Sequence, residues 1–265
     1  MKFSKMCLIT AVVGLCVTGT WYGAAAQDML QYLDLNSPDM TRAEMTRADV
    51  EAMIKASQGK PLDLDGKRLS GLDLSGLDLT RANLGSARLN NTKFAKAKLD
   101  GAILDLAWAL KADFSGASLK GASLFSAQMQ GAKFDHADLS GARITANLSG
   151  ANLSNASLAG ANGSPDLKNQ SMGLMRTVLK SANLERADLS GSNLSRVDFA
   201  FANLKEANLS GANLLDAEAS GADFRGAKLD GSNLIGVDVT SARIDTAAAE
   251  TAFAQAANLK RAFKE

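Results

Sequence analysis

Side chains suited to catalysis or metal binding are scarce in this sequence. The chain has one histidine, His136, and its two cysteines, Cys7 and Cys16, lie near the N-terminus. A protein zinc site draws its ligands mainly from His and Cys, and a Ser-His-Asp triad would need His136 as its base. Phosphate-binding glycine motifs are also absent from the sequence. We therefore expect no enzyme activity, no metal site and no cofactor.

Aspartate is frequent, but its placement favours a structural role. Asp73, Asp78 and Asp188 each directly precede a leucine, and Asn152 and Asn213 occupy the same slot elsewhere. Because asparagine accepts the same hydrogen bonds but cannot transfer a proton, this exchange predicts hydrogen bonding to the backbone. Calcium binding by these carboxylates is the alternative.

A five-residue repeat would position these side chains. Large apolar residues recur at every fifth position, as in Leu64, Leu69, Leu74, Leu79, Leu84, Leu89, Phe94, Leu99 and Leu104. From Leu84 onward a small residue, mostly alanine, lies two positions before each of them. On an α-helix this period advances about 500° per repeat and scatters the leucines. A plain strand alternates with period two. A chain that turns a corner once per repeat places one large and one small residue inward on each side.

Units such as 151–155 (Ala-Asn-Leu-Ser-Asn) and 212–214 (Ala-Asn-Leu) resemble the pentapeptide-repeat family. The resemblance covers residues 62–244. It implies an all-β solenoid, a right-handed quadrilateral β-helix with about 20 residues per coil and a surface that works as a rigid scaffold. Residues 20 apart should then stack, which predicts a column of rings at Phe94, Phe114 and Phe134 and a polar ladder at Asn193, Asn213 and Asn233.

The N-terminus has the three parts of a secretory signal. Lys2 and Lys5 give a positive start, residues 6–17 are apolar, and small residues end at Ala26. We predict cleavage after Ala26 and a periplasmic or secreted product without cysteine. An uncleaved membrane anchor is the alternative, although the apolar run is short for a membrane-spanning helix.

The remaining chain divides into five segments. These are an N-terminal segment (27–61) with a capping helix over 46–57, a first run of repeats (62–162), an interrupting loop (163–178), a second run (179–245) and a C-terminal capping helix (246–265). Thr46 can begin the first helix, with Asp49 in its first turn. Pro165 and a slip in the five-residue phase predict that the interruption leaves the solenoid wall. Leu259 keeps the five-residue phase, so a final irregular coil is the alternative to the C-terminal helix.

Apolar residues at outward slots predict a contact surface. They are Ile103, Leu106, Trp108 and Leu110, with Phe125 one coil further, and Met172, Leu174 and Met175 in the interruption. The alternatives are local burial around Ala109 and a tolerated insertion. A run of basic residues from Arg81 to Lys98 is interpreted as a solvated face.

These features favour an exported, non-catalytic scaffold or interaction module with an unknown protein partner. We expect no nucleic-acid partner and no stable membrane insertion after signal cleavage; a homodimer through a solenoid end fits the pattern. Some family members mimic DNA and protect gyrase, which is one alternative, although the net charge of +1 and the export signal disfavour it. A carbohydrate- or ion-binding β-helix is a further alternative.

Overall fold

The computed structural model describes residues 34–165 and 175–265, and its main element is a stack of parallel β-bridges. In the first coils the bridges join residues 20 apart, and bridged residues follow one another every five positions. Each 20-residue coil therefore has four sides. The first bridged residues of each side define face 1 (Asp63, Asn83, Ile103, Ser123), face 2 (Arg68, Arg88, Trp108, Gln128), face 3 (Asp73, Lys93, Asp113, Lys133) and face 4 (Asp78, Lys98, Ser118, Asp138).

The interior is a column of leucine, phenylalanine and alanine. Leu84, Leu189 and Leu209 are fully buried, as the five-residue repeat predicts. The predicted ring stack is confirmed: the centroids of Phe94 and Phe114 lie 5.0 Å apart and those of Phe114 and Phe134 4.8 Å apart, with the rings nearly parallel. Each fully buried leucine or phenylalanine stabilises the column by about 1.5–3 kcal/mol.

Backbone hydrogen bonds tie each coil to both neighbours. The Leu84 amide donates to the Ile103 carbonyl at 2.7 Å, and the Asn83 amide donates to the Leu62 carbonyl at 2.8 Å. At the corners the residue two positions after the inward leucine is left-handed, as at Gly101 with φ +65°. Glycine adopts this conformation without steric cost.

Outward Asp and Asn side chains bind the corner backbone, which confirms their predicted hydrogen-bonding role. Asp73 Oδ1 accepts from the Ser75 amide at 3.0 Å. Hydrogen bonds from the side chain and backbone of Ser75 lower the pKa of Asp73. The asparagine ladder is also confirmed, because Asn213 Nδ2 donates to Asn193 Oδ1 at 3.2 Å and Asn233 Nδ2 to Asn213 Oδ1 at 3.0 Å.

Two helices precede the first coil: α1 spans Pro38–Thr41 and α2 spans Arg47–Ser57, within the predicted range 46–57. Thr46 begins α2 with a capping box, in which its amide donates to Asp49 Oδ2 at 2.7 Å and the Asp49 amide donates to Thr46 Oγ1 at 3.3 Å. Hydrogen bonds from the backbone and the side chain of Thr46 lower the pKa of Asp49. Val50 of α2 is buried in the same core as the repeats.

The prediction of a C-terminal helix over 246–265 is wrong for most of its length. Strand β1 (Arg243–Ile244) is followed by a short helix α3 (Thr246–Glu250), a 3₁₀ helix (Leu259–Arg261) and strand β2 (Phe263–Lys264), which pairs parallel with β1. A further coil satisfies the exposed backbone of the coil below, since the Ala257 amide donates to the Val237 carbonyl at 2.8 Å. Edge pairing therefore overrides the helix propensity of this alanine-rich segment.

Two irregularities of the wall share the corner between faces 1 and 2. Face 1 continues through Arg143 and face 2 through Asn147, so this corner has only Thr145 between Ile144 and Ala146. In the next coil the chain passes from Asn162 on face 1 to Val178 on face 2. The predicted loop 163–178 is slightly too wide, because Gly163, Thr177 and Val178 belong to the wall. Thr177 Oγ1 lies 2.7 Å from the Gly163 carbonyl oxygen and 2.8 Å from that of Ile144.

Within residues 34–165 and 175–265, no helix is long and apolar enough to cross a membrane.

Replacing Ala132 with leucine tests the inward alanine positions. Ala132 is fully buried, so Ala132→Leu should overpack the interior and lower the free energy of unfolding by about 1–3 kcal/mol. Lys133→Leu adds the same side chain at the exposed neighbouring position and should change stability by less than about 0.5 kcal/mol. Chemical denaturation of both variants measures the difference, and equal stabilities would contradict an inward alanine column.

Candidate contact surface

Leu106 lies at the corner between faces 1 and 2 in a conformation that leucine rarely adopts. Its φ is +61°, and its side chain is 55% exposed. The left-handed region costs a residue with a branched side chain about 1–2 kcal/mol, and an exposed leucine regains little of that by packing. Glycine occupies this slot in many other corners. Most other non-glycine residues with a positive φ are polar, so an exposed leucine is the unusual feature of this corner.

Leu106 borders a groove of about 400 Å³ that runs over the corner and onto face 2. The groove is lined by Arg88, Trp108, Gln128 and Asn147 of face 2, by Ser86, Leu106, Ser126, Thr145 and Ala146 of the corner, and by Met175 and Arg176, which precede the return to the wall. The shortened corner and the returning chain both contribute to this lining, so the groove coincides with the two irregularities of the wall. A volume of this size lies within the range of ligand-binding clefts.

The two arginines of the groove are paired with carboxylates. Arg176 forms a bidentate pair with Glu218, with nitrogen–oxygen distances of 2.6 and 2.9 Å. Hydrogen bonding to Glu218 raises the pKa of Arg176, so its guanidinium stays charged. Arg88 Nε lies 3.7 Å from Asp39 Oδ2. Positive charge in the groove is therefore balanced by nearby acidic groups.

The amide side chains of the groove already have partners in the wall. Gln128 Oε1 accepts from Gln130 Nε2 at 3.0 Å. Asn147 Oδ1 accepts from the amide and the hydroxyl of Ser149, at 3.1 and 2.7 Å. These bonds hold both amides along face 2 and reduce their capacity to bind a ligand.

The structure brings part of the predicted contact surface together. Leu106, Trp108 and Met175 line the groove, whereas Leu110 and Phe125 are half-buried and are not part of its lining. Arg143 covers Phe125, with its guanidinium carbon 3.9 Å from the ring centroid. Local burial thus applies to some of the set, but Ile103 and Leu106 remain exposed. Met172 and Leu174 lie outside the described residues, and a contact role for the whole set stays a prediction.

Other exposed apolar residues were not predicted from the sequence. Leu215 and Ile235 lie at the corner between faces 1 and 2 in later coils, and Phe201, 64% exposed with φ +60°, lies at the next corner. The five-residue repeat could have identified them, because each lies one or two residues after an inward position, where small or polar residues are usual. Phe263, on β2 at the end of the solenoid, is exposed as well; pairing of two chains through that end stays a prediction.

His136 and the aspartates are the side chains that were considered for catalysis or metal binding. His136 is exposed at a corner with φ +58°. In the part of the chain that the structure describes, no group of His, Cys, Asp and Glu side chains is placed to hold a metal ion.

Comparison with known proteins identifies the family. The model of the family described as pentapeptide repeats matches in eight copies, over residues 68–105, 111–143, 146–164, 174–211 and 207–244. These ranges make up more than half of the chain, which therefore belongs to the pentapeptide-repeat family. The family implies a right-handed β-helix. No curated protein sequence matches the chain significantly.

Solved structures of similar proteins include a trypsin-treated form of QnrB1, a plasmid-mediated fluoroquinolone resistance protein. It is 18% identical with a TM-score of 0.50, and the match covers 73% of this chain and 90% of that one. HetL from the cyanobacterium Nostoc, a pentapeptide repeat protein involved in heterocyst differentiation regulation, is 28% identical with a TM-score of 0.27, covering 75% of this chain and 97% of that one. The similarity to QnrB1 shows the fold alone.

Replacing Leu106 with asparagine tests whether its strain serves stability. Asparagine tolerates the left-handed conformation, so Leu106→Asn should leave the free energy of unfolding unchanged within about 0.5 kcal/mol or raise it. Leu104→Ala, two residues earlier and fully buried, should lose about 2–5 kcal/mol. Thermal and denaturant unfolding provide the comparison; a loss above about 1.5 kcal/mol in Leu106→Asn would make Leu106 a structural residue.

Proposed function

We propose that this pentapeptide-repeat scaffold is an exported, non-catalytic interaction module that binds a protein partner at the corner between faces 1 and 2. The observation that carries the proposal is Leu106, an exposed and strained leucine beside a groove. Exposed apolar groups in a concave site are typical of contact surfaces. Leu215 and Ile235 extend the same corner towards the C-terminal end.

Export is supported by the N-terminal sequence. The basic start, the apolar run and the small residues before Gln27 form the pattern of a cleaved signal. A scaffold held together by stacking and hydrogen bonds between coils needs no disulfide, and the cleaved chain would contain no cysteine.

Site-specific photo-crosslinking in the native host tests the contact surface. A photoreactive phenylalanine analogue at Leu106 should give a discrete adduct with one host protein. The matched control is Asn155, which is also exposed at a left-handed corner position, with φ +56° against +61° at Leu106, but between faces 3 and 4. Adducts of equal yield from both positions, or none from Leu106, would contradict the proposal.

Cell fractionation with N-terminal sequencing tests export. The protein should be recovered from the periplasm or the medium with Gln27 as its first residue. A cytosolic protein that keeps Met1 would contradict export and would remove the main objection to a cytoplasmic target.

A second candidate, gyrase protection, is raised by the structural similarity to QnrB1. A DNA mimic needs a continuous acidic surface, but face 3 alternates in charge through the bridged residues Asp73, Lys93, Asp113 and Lys133. We expect the purified protein to leave fluoroquinolone inhibition of gyrase supercoiling unchanged. Protection at a low molar excess would favour the gyrase candidate over the exported module.

A further inference from the structure

We infer that the groove beside Trp108 receives one bulky, uncharged apolar side chain, such as leucine, methionine or phenylalanine, from an exposed segment of a partner protein. The inference rests on the proposed function and specifies the chemistry of the partner. It follows from the charge, the hydrogen bonding and the composition of the groove.

Charge argues against an ionic group as the ligand. Arg176 is held by both oxygens of Glu218, and Arg88 donates from its guanidinium to the Ser86 carbonyl at 2.7 Å with Asp39 close by. An anion would have to displace Glu218 from Arg176, and a cation would meet two guanidinium groups. A neutral group avoids both costs.

Hydrogen bonding argues against a sugar. A saccharide needs side chains that can bind several hydroxyl groups, but the carbonyl oxygens of Gln128 and Asn147 already accept bonds from Gln130 and Ser149. Gln128 Nε2 also lies 3.4 Å from the Ser126 carbonyl oxygen. These bonds leave the two amides less hydrogen-bonding capacity for a saccharide.

Composition favours an apolar side chain. Trp108 presents an aromatic surface, Leu106 lies at the corner, and Met175 contributes an unbranched, adaptable side chain. Burying a leucine or phenylalanine against these groups removes apolar surface from water on both partners. The exposed side chain of Leu106 is then explained, because it gains apolar contacts when the partner is bound.

Trp108 provides a direct readout of the groove. The chain has two tryptophans, Trp21 and Trp108, so the full chain with Trp21→Phe gives a single indole signal in a ¹H–¹⁵N spectrum. The probes are blocked pentapeptides, Ser-Gly-X-Gly-Ser, with leucine, phenylalanine, serine, lysine or glutamate as X, together with maltose. The leucine and phenylalanine peptides should shift the indole signal saturably and bind about tenfold or more tightly than the serine peptide.

Two variants separate the groove from non-specific apolar contact. Leu106→Asn should abolish the preference for leucine over serine. Phe201→Asn, which removes another exposed apolar residue with positive φ at a corner outside the groove, should leave that preference intact. Equal binding of all peptides, tighter binding of a charged peptide or of maltose, or loss of preference in Phe201→Asn would overturn the inference.

The outcome also separates this inference from the proposed function. A Leu106 crosslink in cells without any apolar preference overturns the inference and leaves the contact surface in place. A clear apolar preference without a crosslinked partner supports the groove chemistry and contradicts partner binding at this corner.

Discussion

Stacking of one coil on the next is the constraint on which the rest of this structure depends. In the first coils the inward leucines and phenylalanines lie directly over residues 20 positions away, as the Phe94, Phe114 and Phe134 rings show with separations of 5.0 and 4.8 Å. The backbone of each coil is hydrogen-bonded to the coils on both sides. Every coil contacts only its neighbours. An inserted or deleted residue must therefore be accommodated at a corner. Otherwise all later side chains would shift off their faces.

The groove lies where the chain absorbs such changes. The shortened corner at Thr145 and the excursion that returns through Arg176 fall at the same corner in neighbouring coils. Leu106 and Trp108 lie two coils before the shortened corner, and the groove joins all four residues. In the regular wall, outward polar side chains bond to one another from coil to coil, as Asn193, Asn213 and Asn233 do. The irregular corner instead combines a concave surface with apolar side chains.

Much of the fold could be predicted from sequence because a period of five leaves few choices for the backbone. Leu84, Leu189 and Leu209, the phenylalanine stack and the asparagine ladder all follow from that period. The prediction of a C-terminal helix was wrong. Local propensity favours a helix in an alanine-rich segment, but the open edge of the previous coil offers hydrogen bonds to a strand. Pairing of Arg176 with Glu218, 42 residues later, arises from the excursion, so the groove could not be read from spacing. Leu106 and Trp108 could be picked out because apolar residues are out of place at outward slots.

Amide hydrogen exchange measured by NMR tests the stacking of coils most directly. The amides of Leu84, Leu189 and Leu209 donate to carbonyls of the following coil, those of Ile103, Asn208 and Lys228, at 2.7, 2.7 and 2.8 Å. Stacking predicts that all three exchange slowly, at rates set by opening of the solenoid. Rapid exchange at any of these leucines, comparable with that of an unfolded chain, would contradict a continuous column.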